Sequence, residues 1–144
     1  MSVLRLVIPS PLRRYFDYLP PADMDAAGVA ALSPGVRIRV PFGRREMTGY
    51  LLAVSADTEV PAHNLKAALE VLDHTPLPDA PLLALCQWAA DYYRHPPGEV
   101  YGAAFPKRLR EGKAQQTGSS GWRLTTHGKG LPGEALPRSP RQAE

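Results

Sequence analysis

The fold is decided by one stretch of the sequence, Gly35-Val36-Arg37-Ile38-Arg39-Val40-Pro41. Its three β-branched residues alternate with two arginines, a period of two that is typical of a β-strand with one buried face. The alternation predicts that the apolar side chains pack inside and that both arginines lie outside. Gly43, in the connection that follows, can adopt a positive φ. Met47–Ser55 then reads as a second strand, so the two are expected to pair.

Further strands are predicted on both sides of this pair. They cover Ser2–Ile8, Arg14–Leu19 and Lys66–Leu72, which are short runs rich in apolar or aromatic residues. The chain has 16 prolines, which argue against long helices and for short strands joined by turns. Residues 22–34 leave a helical turn and a loop open as alternatives. The pattern predicts a fold that is mostly β with α, a small antiparallel β-barrel or sandwich of OB-like type.

The hydrophobic period becomes helical after residue 78. Asp79 is a suitable N-cap and Pro81 suits a first helical turn, so a helix is predicted from Asp79 to about His95. A second, short helix is predicted over Gly98–Phe105. Aromatic residues recur at helical spacing in the first helix and are predicted to pack in the core: Trp88, Tyr92 and Tyr93.

Charge is distributed unevenly along the chain. The net charge of +3 comes from residues 106–144, which carry +5, whereas residues 1–78 are neutral. A nucleic-acid site in the first hundred residues must therefore be a local patch. The sequence predicts three parts: a domain over 1–105, a basic and polar linker over 106–120, and the start of a further domain over 121–144 that the chain does not complete.

Signatures of catalysis and metal binding are weak. The single cysteine, Cys86, excludes an internal disulfide and a cysteine zinc site. The four histidines are far apart, and the glycines around Lys129 do not form a phosphate loop. No segment is apolar over the length of a bilayer. We expect a cytoplasmic protein with no catalytic residue, metal or cofactor of its own.

Arg13–Leu19 (RRYFDYL) is the segment most typical of a binding site. Cations interleaved with aromatic rings suit single-stranded nucleic acid, whose bases stack on rings while its phosphates meet the cations. The same pattern also fits a strand whose aromatic residues fill the core and whose arginines are solvated. The segment alone leaves both interpretations open.

Three blocks of sequence occur in a fixed order: Tyr15–Leu19 (YFDYL), Gly35–Gly43 (GVRIRVPFG) and Trp88–Tyr93 (WAADYY). Together they resemble the N-terminal domain of the primosomal protein N′ family, the PriA-type replication-restart helicases, over about residues 3–112. The resemblance implies binding of the 3′ end of the nascent leading strand at a stalled or branched replication fork. It also implies that family members continue into a winged helix, which would begin within 121–144, and then into helicase and zinc-binding regions. ATP, Mg and Zn would belong to those regions, so we expect no helicase activity of this fragment.

The same resemblance implies a 3′-end pocket formed by Phe16, Asp17, Gly43 and Lys66. Asp17 can accept a hydrogen bond from a 3′-hydroxyl and repel the phosphate of a continuing strand. Phe16 offers a ring to any base, and Lys66 can neutralise a phosphate. Gly43 lets the backbone approach closely.

Four arginines are candidates for contacts with the DNA backbone: Arg14, Arg37, Arg39 and Arg44. One geometric conflict accompanies the pocket. Neighbours in a regular strand face opposite sides, so Phe16 and Asp17 share a pocket only if the strand ends or bulges there. Otherwise one of the two is structural.

Two other functions stay open at this point. The domain can be a protein-interaction barrel that docks replication partners, or a generic single-strand nucleic-acid binder. The expected partner is branched or single-stranded DNA with a free 3′ end, in the nucleoid and with no membrane. Single-strand binding protein and other primosome proteins are expected partners of the full-length protein.

Overall fold

A computed structural model of the chain describes residues 2–114, 121, 123 and 125–129. The chain divides into two compact units, residues 1–114 and 115–144. In the second unit the described residues include one short helix, Thr126–Lys129. Most of the predicted winged-helix start, and residues 115–120 of the predicted linker, lie outside the described residues. Within the described part of the chain, no helix has the length and apolarity needed to cross a membrane.

The first unit is built on a five-stranded antiparallel sheet in the order β2-β1-β4-β3-β5. The strands are β1 (Val3–Val7), β2 (Phe16–Tyr18), β3 (Arg37–Phe42), β4 (Arg45–Ser55) and β5 (Glu70–Val71). The sheet does not close into a complete barrel, but a parallel bridge between Leu19 and Ala67 links its two edges. The predicted class, mostly β with α and OB-like, is therefore confirmed. Lys66–Leu72 contributes a two-residue strand and this bridge rather than one long strand.

The inner face of the curved sheet holds the main core. Leu4 and Leu6 of β1 and Ile38 and Val40 of β3 are fully buried there, as their alternation requires. A register shift between Arg5 and Leu6 interrupts the pairing of β1 with β4. Residues 22–34 resolve into a loop and helix α1 (Ala26–Ala31), which closes this core with Val29.

Two helices cover the outer face of the sheet. Helix α2 (Ala80–Tyr92) begins, as predicted, at the N-cap Asp79, whose carboxylate accepts a hydrogen bond from the Leu82 amide. Helix α3 (Pro97–Ala104) packs on α2 and β1. Side chains from both helices enclose a second core with two strand residues, Val7 and Tyr50. The predicted short helix at Gly98–Phe105 corresponds to α3.

The position of Arg37 differs from the prediction that both arginines of this strand lie outside. It lies on the face of β3 opposite the apolar residues, yet only 1% of it is exposed. Its guanidinium donates to both carboxylate oxygens of Asp73, at 2.8 and 2.7 Å, and to the carbonyl oxygens of Leu109 and Lys113, both at 2.8 Å. The segment that carries helix α4 (Lys107–Arg110) covers this face. The prediction that Arg37 lies outside is therefore wrong, because the side chain is buried and four of its five guanidinium N–H donors are bonded within the protein.

The aromatic residues of α2 overturn another prediction. Trp88 is 53% exposed, and Tyr92 and Tyr93 are each 67% exposed. The rings of Trp88 and Tyr92 stack at the surface with their centroids 4.9 Å apart, and the ring of Tyr93 meets both edge-on. The helix faces the core with Cys86 and Ala90 instead. Helical spacing alone cannot decide which side of a helix with apolar residues all round is buried.

Candidate nucleic-acid interface

Strand β2 begins at Phe16 and separates the two side chains of interest. Phe16 lies on the inner face, where its ring meets the Phe42 ring edge-on at a centroid distance of 5.2 Å. The guanidinium of Arg14 lies 4.9 Å from the centroid of the same ring. Phe16 is half-buried, so part of its ring remains accessible. It therefore belongs both to the edge of the core and to a surface site.

Asp17 points to the other face of β2, opposite Arg5 of β1 in the register. Arg5 donates from Nε to Asp17 Oδ1 and from Nη2 to Oδ2, both at 3.0 Å. Thr58 Oγ1 donates to Oδ2 at 2.7 Å. The Asp17 side chain is only 7% exposed, and these donors, Arg5 foremost, lower the pKa of its carboxyl group below the ordinary value. Asp17 is therefore an ionised and fixed carboxylate.

The Asp17 carboxylate accepts fewer hydrogen bonds than it has acceptor positions. A carboxylate offers about four lone-pair positions to donors. Arg5 occupies two of them and Thr58 a third. By this count Oδ1, which accepts one bond, retains one acceptor position. The carboxylate is thus prepared to accept one hydroxyl or amide hydrogen.

Gly43 and Lys66 reach β2 from different parts of the fold. Gly43 lies in the tight turn between β3 and β4 with φ +62, and a Cβ built there would meet no atom within 4 Å. Lys66 belongs to the segment that bridges to the end of β2, where the Leu19 amide donates to its carbonyl oxygen at 2.9 Å. Its own side chain is exposed. The incomplete closure of the sheet thus brings Lys66 beside β2.

A cavity of about 420 Å³ joins these residues, and we call it the β2 cavity. Its lining includes all four residues of the predicted pocket together with one of the candidate arginines: Arg14, Phe16, Asp17, Gly43 and Lys66. Phe16 and Asp17 both border it although their side chains leave β2 on opposite faces. The cations of the cavity are not cancelled by Asp17, since Arg5 already neutralises that charge.

The other candidate arginines lie apart from the β2 cavity. Arg39 forms an ion pair with Glu70 at 2.8 Å on the same face as Arg37 and borders a different cavity. Arg44 is exposed in the turn next to Gly43, but it is not among the residues that line the β2 cavity. Arg37 is buried as described above. The structure therefore groups only Arg14 with the predicted pocket residues.

Two residues of this site had no place in the sequence predictions. Arg5 is the only charged residue in the apolar strand Val3–Val7, and a charge in such a strand signals a partner across the sheet. Thr58 gives no comparable signal, because it lies in a loop 41 positions from Asp17 in the sequence. The two residues hold the carboxylate on which the site depends.

Comparison with known proteins agrees with this geometry. The family model described as "3'DNA-binding domain (3'BD)" of PriA matches residues 5–106. A replication restart protein PriA from Haemophilus influenzae is 36% identical over 146 residues, covering 100% of this chain and 19% of that protein. The PriA protein of Treponema pallidum is 33% identical over 112 residues (75% of this chain, 16% of that protein), and that of Bacillus subtilis is 31% identical over 78 residues (54% and 9%).

The chain spans at most about a fifth of the length of these relatives, at their 19%, 16% and 9% coverage. The matched residues 5–106 contain β2, the β2 cavity, both helices of the outer face and the last three residues of β1. The resemblance noted in the three sequence blocks is thereby confirmed, and the chain belongs to the family of PriA 3′-DNA-binding domains.

Proposed function

We propose that the β2 cavity binds the terminal nucleotide of a DNA strand with a free 3′-hydroxyl, as is found on the nascent leading strand at a stalled or branched replication fork. The observation that carries the proposal is the grouping of Asp17, Arg14 and Lys66 around one cavity, with three hydrogen bonds to the Asp17 carboxylate out of about four that it can accept. A terminal sugar supplies the hydroxyl for the acid. The phosphate on its 5′ side supplies the anion for the cations.

The carboxylate distinguishes an end from a continuing strand. A hydrogen bond from the 3′-hydroxyl to an ionised acceptor is worth about 1.5–3 kcal/mol, or roughly ten- to a hundredfold in affinity. An internal nucleotide places a phosphate there, which offers no donor. Because Arg5 neutralises Asp17, the repulsion of that phosphate is smaller than for a bare carboxylate. Discrimination therefore depends mainly on the missing hydrogen bond.

The rest of the cavity favours binding without sequence preference. Phe16 presents the accessible part of its ring, and stacking on an aromatic side chain is worth about 1–3 kcal/mol for any base. The guanidinium of Arg14 lies over this ring and can move to the phosphate when a base takes its place. Lys66 adds a second cation on a flexible side chain. None of these contacts reads the edge of a base.

Binding of two otherwise identical oligonucleotides tests the proposal. One carries a 3′-hydroxyl and the other a 3′-phosphate, and both carry fluorescein at the 5′ end for anisotropy at fixed salt. We expect the hydroxyl strand to bind at least about tenfold more tightly. Equal affinities would leave a generic single-strand binder and would contradict the proposal.

The relatives are named replication restart proteins, and we propose that the domain supplies DNA-end recognition to such a protein. Protein docking is a second candidate function, favoured by the exposed rings of Trp88, Tyr92 and Tyr93. Purified single-strand binding protein and primosome proteins, titrated against the chain and its Trp88→Ser variant, test this role. Binding that the substitution leaves unchanged would count against that surface.

A further inference from the structure

A second cavity of about 640 Å³ adjoins the β2 cavity. The two share part of their lining: Arg14, Tyr15, Asp17 and Val60. From these shared residues the second cavity extends along the start of β2 to the C-terminal end of α2, where Ala90 and Asp91 border it. We call it the β1–α2 groove. A ligand that leaves the β2 cavity on this side must enter it.

The groove is bordered by the two arginines that precede β2. Arg13 and Arg14 are both exposed, and the Arg5 side chain, which is paired with Asp17, is 40% exposed. Exposed arginines along an open groove are well suited to phosphates, which they contact with two donors at once. The groove therefore offers cations at a series of positions rather than at one.

Tyr15 gives the groove a fixed wall. Its hydroxyl donates to Gln87 Oε1 of α2 at 2.9 Å, and its ring packs against the second core. Small or rigid residues form another part of the wall: Ala90, Pro61 and Pro97. An aromatic ring and a rigid wall can guide a single strand without reading its sequence.

We propose that the β1–α2 groove binds the nucleotides on the 5′ side of the terminal one, with Arg13 on their phosphates. This inference rests on the proposed function, because it takes the β2 cavity as the position of the terminal nucleotide. The size of the groove supports it, since folds of OB type contact about 4 to 16 nucleotides and the β2 cavity alone is too small for that. The strand then runs from the end of β2 towards the C-terminal end of α2.

The groove also contains acidic residues, which should weaken the binding of phosphates. Glu59 and Asp91 line the same groove. Each opposes a passing phosphate, so each weakens the binding of a long strand and not of a dinucleotide. Glu59 is exposed, and its replacement by glutamine removes the charge at nearly constant shape.

The test compares thymidine oligonucleotides of two and six residues, all with a 3′-hydroxyl, as competitors of a fluorescein-labelled strand on the full 144-residue chain. We expect the hexamer to bind the wild type about tenfold more tightly than the dimer, by the contribution of charge-assisted phosphate contacts. Arg13→Ala should reduce that gain about fivefold and leave the dimer unchanged, whereas Glu59→Gln should increase it. The matched control is Arg108→Ala, which removes an exposed arginine of α4 outside both cavities.

Two results would overturn the groove assignment. One is a wild-type chain that binds dimer and hexamer equally. The other is an equal loss of hexamer affinity in Arg13→Ala and Arg108→Ala, which would indicate unspecific attraction. Failure of end capture gives a separate signal, because it appears as indifference of the dimer to a 3′-phosphate.

Discussion

Arg5 and Asp17 face each other across β1 and β2 and are joined by two hydrogen bonds of 3.0 Å. The pair has two roles. It fastens an edge strand of only three residues to the sheet, and it fixes the carboxylate that we assign to the 3′-hydroxyl. Both roles require an ionised Asp17.

Stability should therefore depend on pH through Asp17. The folded-state pKa of its carboxyl group is lowered from 3.8, so the stabilisation is complete above that unfolded value and is lost as the pH falls through the lower folded one. Asp17→Asn should lower the free energy of unfolding by about 1 kcal/mol at pH 7, a value discounted for solvent screening because the Arg5 side chain is 40% exposed. Urea unfolding at several pH values measures the gap between the two proteins. The gap should narrow below pH 3.8, and a gap that stays constant to about pH 2 would contradict this role.

The buried pair of Arg37 and Asp73 should matter far more for stability than the exposed pair of Arg39 and Glu70. The first pair has side chains only 2% and 9% exposed, whereas the second has 36% and 50%. Arg37→Ala leaves a buried carboxylate without its partner and should cost about 3–5 kcal/mol. Arg39→Ala, the matched control on the same strand, should cost about 1 kcal/mol or less. Similar losses in urea unfolding would show that the covering segment does not bury Arg37 in solution.

Two glycines of α3 should respond in opposite ways to alanine. A Cβ at Gly98 would lie 1.8 Å from the carbonyl oxygen of Ile8, whereas a Cβ at Gly102 has its nearest neighbour, in Pro9, at 3.6 Å. Gly98→Ala must push the helix away from β1 and should cost about 3 kcal/mol or more. Gly102→Ala should be neutral or stabilise by up to about 1 kcal/mol, because alanine favours the helix. Thermal unfolding of both variants checks the packing of α3 on β1, and a tolerated Gly98→Ala would disprove it.

Two substitutions of Gly43 distinguish the effect of backbone strain from the loss of space for a ligand. Its φ of +62 is unfavourable for alanine, which should lower stability by about 1–2 kcal/mol, while asparagine tolerates this conformation better. The Cβ of either residue meets no protein atom. If DNA passes close to this turn, both substitutions should weaken binding of a 3′-hydroxyl dinucleotide under conditions where the proteins remain folded. Unchanged affinity in Gly43→Asn would place the nucleotide away from the turn.

The sequence predicted the strands around Arg37 and the capped helix at Asp79 because these depend on local alternation and local hydrogen bonds. The prediction that Arg37 is exposed was wrong, because its burial depends on a segment more than 70 residues later in the chain. The prediction that Trp88 packs in the core was wrong for a related reason, because helical spacing does not say which side of α2 meets the sheet. The four pocket residues came from a resemblance, and the structure groups them in one cavity. Arg5 and Thr58 could not be assigned without knowledge of the register and of the loop.

The most direct test of the central claim compares a 3′-hydroxyl dinucleotide with its 3′-deoxy counterpart, which lacks the hydroxyl and adds no charge. Affinities are measured for the wild type, for Asp17→Ala, and for Asp57→Ala as the control that removes an exposed acid from a nearby loop. We predict a loss of about tenfold or more on removing the hydroxyl from the ligand of the wild type and of Asp57→Ala, and no loss in Asp17→Ala. A wild type that binds both ligands equally, or an Asp17→Ala variant that still prefers the hydroxyl, would contradict the assignment of the 3′-hydroxyl to Asp17.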